Sequence, residues 1–183
     1  MKLKALYEAS APSAPAEEPG VPAAVQAAAA GAPCRPWLRL LRDEKSYEAC
    51  MGVARKLGPV DGSLAAFRFI SAAVGSEDQE VFGALYLDTH MQIRGLAETG
   101  RGTIDSVQAP IGPTLRIAVT TGAHAIVIFH CHPTLIVTPS EGDKEVTKAF
   151  KQAAETLDIL LADHLIIGGR KRYYSFADAG KLS

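Results

Sequence analysis

Cysteine is scarce. Cys34, Cys50 and Cys131 are the only three in 183 residues, an odd number without the paired spacing of a disulfide framework or of a cysteine zinc knuckle. This excludes a disulfide-stapled fold and predicts a reducing compartment. An excess of charge is missing too: 19 basic residues nearly balance 20 acidic ones, for a formal net charge of −1. No broad field therefore draws the chain to phosphate backbones or to an anionic membrane, and nucleic acid is not an expected partner. The short run Arg170-Lys171-Arg172 reads as a solvated strand or turn end. No 18-residue apolar stretch free of charges and breakers occurs, which excludes a helical membrane span. No apolar run of signal-peptide length follows the basic start Met1-Lys2-Leu3-Lys4, so a soluble, cytoplasmic protein is expected.

Large apolar side chains are absent from most of residues 9–33, which are chiefly alanine, proline, glycine and glutamate. Such a stretch has little to bury, and residues 1–35 are expected to form a disordered arm. The alanine-rich stretch 23–30 is too short to hold a helix in water without packing partners. Residues 36–183 then supply one domain. In it the patterning predicts a strand at 37–41, a helix at 46–57 stopped by Gly58-Pro59, and a second helix capped by Asp61 or Ser63 and running to Val74. A hairpin of strands at 80–87 and 91–97 follows, then a helix at 110–121 closed by Gly122. The unbroken apolar run 125–129 suits a central strand covered on both faces. A helix from Ser140 to about residue 157 carries one apolar stripe. The segment 157–161 re-enters the sheet, and 165–167 with 173–176 form a terminal hairpin about Gly168-Gly169. This order predicts a mixed sheet flanked by helices.

The chemistry lies beyond the strand at 125–129. The chain reads His130-Cys131-His132-Pro133 and, after six residues, Ser140-Glu141-Gly142-Asp143. Residues two apart in a strand point to one face roughly 6.5–7 Å apart. His130 and His132 therefore converge, while Cys131 points away as a small buried hydrophobe. Pro133 ends the ladder and turns the chain, so that the helix opening at Ser140 can bring Asp143 to the histidines. Two imidazoles and a carboxylate with one position open are the donor set of a catalytic rather than a structural zinc site. Nitrogen and oxygen donors accept several divalent ions; one zinc per chain is the expectation. The site then needs a proton carrier and an oxyanion donor, and Glu80, at the head of a buried strand, and Ser140 are the candidates. Each has a plainer reading, Glu80 as a solvated strand-end carboxylate and Ser140 with Asp143 as a helix capping box. Glu98 competes with Glu80 as the base. The joint pattern of rare residue types at fixed offsets outweighs the plainer readings. His90, His124 and His164 stand without such partners.

The run His-x-His-Pro, six residues, Ser-x-x-Asp resembles the JAMM motif of the JAB/MPN metallopeptidase superfamily, and Glu80-Val81-Phe82-Gly83 resembles its upstream glutamate ahead of a Val-x-Gly strand. Leu87-Asp88-Thr89, Arg101-Gly102-Thr103, Asp163-His164-Leu165-Ile166-Ile167-Gly168 and Tyr173-Tyr174-Ser175-Phe176 are similar to the bacterial RadC group, over residues 36–178 in all. The resemblance implies an α/β fold of αβα type, a curved mixed β-sheet flanked by helices with JAB/MPN, cytidine-deaminase-like architecture. It also implies zinc on His130, His132 and Asp143, a water activated by Glu80, and an oxyanion steadied by Ser140. The activity implied is zinc-dependent hydrolysis of a peptide or isopeptide bond in a peptide or protein substrate. The alternative is a catalytically silent JAB/MPN interaction module with a DNA-repair-associated or mobile-element role. Two departures from the group stand out. RadC proteins carry a helical, DNA-binding-like region ahead of this domain, where this chain has its low-complexity arm and two short helices. They also read His-Asn-His-Pro-Ser-Gly where this chain has Cys131 and then Thr134-Leu135-Ile136-Val137, an apolar loop expected to pack onto its own domain.

Overall fold

In a computed structural model the protein is described over residues 58–74, 80–102 and 109–182. The readings made for the arm at 1–35, the strand at 37–41 and the helix at 46–57 lie outside the described residues. Helix α1, Ser63–Val74, buries Ala66, Phe67, Phe69, Ile70 and Val74 along one side. Strand β1, Val81–Leu87, is buried at all positions: it is paired on both edges, to β2 (Ile93–Arg101) and to β3 (Ala125–Cys131), and packed on both faces. Helix α2, Ile111–Thr121, ends as expected at Gly122, whose left-handed backbone (φ 63°) returns its N–H to Ala118 and Val119. Helix α3, Glu141–Glu155, leads to β4, Leu160–Gly168, and β5, Arg172–Ser175.

The sheet runs β2-β1-β3-β4-β5, with β3 at its centre. Only β3 and β4 are parallel, the pair joined by a helix, as a parallel connection requires; the other pairs are antiparallel. Alternation sends Leu85, Val127, Phe129, Cys131, Leu165 and Ile167 to the α1 side. It sends Phe82, Ala84, Tyr86, Ile126 and Ile128 to Leu115, Ala118, Val146 and Phe150 of α2 and α3. The expected mixed α/β sheet flanked by helices is therefore what forms, and it does not close into a barrel. No helix among the described residues is long and apolar enough to cross a membrane.

Some boundaries differ from expectation. Residues 157–161 and 165–167, read as separate strands, belong to one: 156–158 are a turn, with Asp158 left-handed at φ 54°, and β4 then runs unbroken from Leu160 to Gly168. The polar pair Asp163 and His164 does not interrupt the ladder, because their backbones pair with Val127 and Ile128 and both side chains have buried partners. The second hairpin strand starts at Ile93 and continues to Arg101, past the expected end at 97.

Gly83 shows how tightly the layers meet. A Cβ there would lie 2.3 Å from the Ala97 carbonyl oxygen and 2.6 Å from Cζ of Phe129, the ring that crosses over it from β3. Neither can retreat, since one is backbone and the other a fully buried ring. Gly83→Ala is expected to cost about 3 kcal/mol, a melting temperature lower by roughly 10 °C. Thermal unfolding followed by circular dichroism checks this, and an unchanged midpoint would mean that β1, β2 and Phe129 do not approach so closely.

Candidate metal centre

Strand β3 carries its apolar run to the edge of the core and ends in the histidine pair. His130 is its sixth residue, only 7% exposed, and His132 follows the last ladder residue with its backbone N–H still donating to the Ile167 carbonyl. The pair thus sits at the carboxyl end of a central strand, where open α/β sheets place their sites. Cys131 between them faces α1, its Sγ 3.7 Å from the Val74 carbonyl oxygen, the buried hydrophobe expected from alternation. After the turn at 133–134 the chain returns through a loop to Ser140, the N-cap of α3. His130, His132 and Asp143 come together there, with one donor atom from each within 4.8 Å of the others.

The two readings of Ser140 and Asp143 prove compatible, because a carboxylate has two oxygens. Asp143 Oδ2 accepts the Ser140 backbone N–H and hydroxyl, each at 2.7 Å, while the Asp143 N–H donates to Ser140 Oγ at 3.1 Å. This is a complete capping box. Oδ1 is left facing His130 Nε2 at 3.0 Å. Burial alone would raise the Asp143 carboxyl, but the hydrogen bond and charge of the His130 ring and the two bonds from Ser140 outweigh it and hold the group well below the usual carboxylate range. The single Ser140 proton is spent on Asp143 in this arrangement, so the hydroxyl orients that carboxylate directly.

Proton counting shows what the cluster needs. His132 Nδ1 stands 2.6 Å from the Ile136 carbonyl oxygen, which only accepts; Nδ1 therefore carries the proton, and Nε2 of the neutral ring is bare. His130 Nδ1 stands 2.9 Å from His164 Nε2, and its own Nε2 is 2.9 Å from His132 Nε2. Lone pairs of His132 and Asp143 thus point at His130 Nε2. A proton there serves one of the two neighbours, whereas a metal ion serves all three donors. The two spacings of 2.9 Å and 3.0 Å from His130 Nε2 lie a few tenths of an ångström inside the about 3.3 Å that separates corners of a tetrahedron with bonds of roughly 2.0–2.1 Å.

His164, read from sequence as a histidine without partners, is the principal correction. It is fully buried in β4, within hydrogen-bond reach of both His130 and, at 2.6 Å, Thr147 Oγ1. Burial first, then the His130 ring, hold it well below the usual histidine range. The available signal was the placing of Asp163-His164 inside an otherwise apolar strand.

Glu80 precedes β1, half-buried. It lies two residues before Phe82, which pairs with His130 and stacks parallel to its ring at 6.3 Å; by alternation Glu80 belongs to the same face and the same end of the sheet. Glu98 is opposite Gly83 in β2 and is gripped by Arg101 through two bonds of 2.6 Å. The loop expected to pack onto its own domain does so at Gly168 of β4, where a Cβ would lie 2.8 Å from Val137 Cγ1 and 2.9 Å from the Leu135 carbonyl oxygen. Leu135 and Ile136 are exposed, and Leu135 holds a left-handed backbone at φ 63°, a conformation that costs a branched residue about 1–2 kcal/mol.

Outside the cluster, Asp163 is fully buried and accepts from Ser175, Ala177, His164 and Ser63; burial nevertheless outweighs these bonds and lifts its carboxyl to about 6. The folded state then takes up a proton before the unfolded chain does, so stability from this group rises as pH falls through 6 and is lost as pH rises. Compared with Asp163→Asn, the natural protein should gain about 1 kcal/mol between about pH 8 and about pH 5. Urea unfolding of both proteins at the two pH values checks this, and parallel pH profiles would contradict it.

The RadC-like JAB domain family matches residues 60–181. A UPF0758 protein of Saccharophagus degradans is 36% identical over 113 residues, 62% of this chain and 50% of its own length. One of Flavobacterium johnsoniae is 33% identical over 125 residues, 68% of this chain and 54% of its own length, and one of Janthinobacterium sp. is 30% identical over 145 residues, 79% and 62% respectively. The chain spans about half the length of the first two of these relatives.

Proposed function

Since the chain belongs to the RadC-like JAB domain family, we propose that it is a metal-dependent hydrolase of amide bonds, peptide or isopeptide, with zinc held by His130, His132 and Asp143. The observation that carries this reading is the convergence of one nitrogen from each of two imidazoles and one carboxylate oxygen. The donors are of the borderline nitrogen and hard oxygen type that zinc takes, and three protein ligands are the complement of a catalytic rather than a structural site. When bound, the ion supplies the Lewis acidity that makes water a nucleophile near neutral pH and polarises a carbonyl.

The chain's own residues supply the rest. Glu80, at the histidine end of β1, is the group to accept the proton of the attacking water and pass it to the departing amine. Glu98, whose carboxylate is held by Arg101, is the alternative base. Ser140 holds Asp143 through its Oδ2, and its hydroxyl serves the developing oxyanion only by turning its proton away from that oxygen. The substrate is a peptide or protein that presents an amide bond at the end of β3, beside the exposed side chains of Leu135 and Ile136.

The test uses full-length protein purified without a metal-affinity tag, loaded with zinc and offered fluorogenic peptides, ubiquitin-like fusions and small amides. One zinc per chain is expected, and Glu80→Gln should keep that zinc while losing about 10²–10⁴-fold in hydrolysis. Folded protein that retains well under one zinc would overturn the metal site. Full activity in Glu80→Gln would remove the base, and a zinc-loaded protein inactive on every amide would favour the silent interaction module.

A further inference from the structure

The His130 ring is held from behind by two side chains that reach no donor atom of the site. Thr147 Oγ1 has a single proton and two close partners, the Asp143 carbonyl oxygen at 2.6 Å and His164 Nδ1 at 2.6 Å. A carbonyl only accepts, so the hydroxyl proton goes to Asp143 and His164 Nδ1 must be the donor toward Thr147. A neutral His164 then has a bare Nε2. The group 2.9 Å from it, His130 Nδ1, must therefore carry a proton, and in the neutral ring this leaves the lone pair of His130 on Nε2. From this chain of single-proton choices we infer that Thr147 and His164 are positioning residues that fix the ring tautomer of His130, and through it the metal affinity of the site.

The surroundings make the relay rigid. His164 has no exposure and Thr147 has 3%, so water cannot stand in for a missing partner. Phe176 stacks on the His164 ring at 4.8 Å with planes 10° apart, and Phe82 closes another side at 6.3 Å; the ring has no room to turn over and exchange its nitrogens. The relay also begins and ends on one residue, since the Asp143 carbonyl starts it while the Asp143 carboxylate faces His130 Nε2. Without the Thr147 hydroxyl, nothing obliges His164 to keep its proton on Nδ1. The other tautomer would donate from Nε2 to His130 Nδ1 and drive the His130 proton onto Nε2, where the metal must bind. A ligand histidine ordinarily donates its second nitrogen to a carboxylate, a carbonyl or water, which leaves no such choice. Here the partner is a second imidazole, which can present either a donor or an acceptor, and Thr147 makes the selection.

This inference rests on the metal site proposed above, and the test separates the two. Long-range proton–nitrogen NMR on the zinc-free, full-length protein at about pH 8.5, above the ordinary imidazole range, reads the tautomer of each ring. Competition with a chromogenic chelator reads zinc affinity. In the natural protein His132 and His164, and His130 in its neutral form, should carry the proton on Nδ1. Thr147→Val, which keeps the shape and removes the donor, should move His130 toward the Nε2-protonated form and weaken zinc binding about tenfold to a hundredfold. Thr147→Ser should restore both. The inference is overturned by an Nε2-protonated His164 in the natural protein, a readout that needs no variant to fold. It is equally overturned if a folded Thr147→Val keeps the natural tautomers and zinc affinity. Failure of the natural protein to bind zinc would instead sink the proposed function, while the tautomers would still decide whether the relay exists.

Discussion

Three donor atoms meet at the end of β3, and one proton among them cannot satisfy all three. His132 is committed by the Ile136 carbonyl to a bare Nε2, Asp143 presents an oxygen, and His130 Nε2 lies 2.9 Å and 3.0 Å from these two. Facing acceptors repel unless a cation stands among them, and most of the local architecture serves to keep them facing one another. The Ser140 capping box occupies one carboxylate oxygen so that the other is aimed. Phe82 stacks on the His130 ring, and the His164 relay holds it from behind.

The fold explains how side chains distant in sequence arrive together. Because β3 is central, its end is fixed by neighbours on both sides, β1 through the pairing of Phe82 with His130 and β4 through that of His130 with Ile166. The parallel connection from β3 to β4 obliges the chain to pass through a helix, and the first turn of that helix carries Ser140 and Asp143 past the strand end. Family membership and this geometry agree, since the residues that match the RadC-like JAB domain, 60–181, include every donor of the cluster. Among the described residues, an exposed Leu135-Ile136 pair with left-handed strain at Leu135 flanks the site, so the surface that a substrate would meet is apolar there.

Much of this was legible in the residue pattern. Alternation alone put His130 and His132 on one face and Cys131 on the other, and the glycine after Thr121 marked the end of α2. The capping spacing of Ser140 and Asp143 was equally visible, but whether it meant a cap or a ligand depended on the second carboxylate oxygen, which only coordinates locate. His164 was missed because its partners, His130 and Thr147, are 34 and 17 residues away, a separation without local periodicity. The same pair of polar residues, Asp163 and His164, made β4 look like two strands. Their burial is tolerated because each is hydrogen-bonded, a fact of tertiary structure rather than of sequence. The close approach at Gly83 was likewise hidden, since a glycine in a strand does not announce which ring crosses it.

The central claim is that one ion is shared by two imidazole nitrogens and a carboxylate oxygen. X-ray absorption at the zinc edge, on protein loaded with one equivalent of zinc, tests it most directly. The account predicts a first shell of nitrogen and oxygen only, with bonds of about 2.0–2.1 Å and the outer-ring scattering of two imidazoles. A sulfur neighbour at about 2.3 Å, or fewer than two imidazoles, would contradict it.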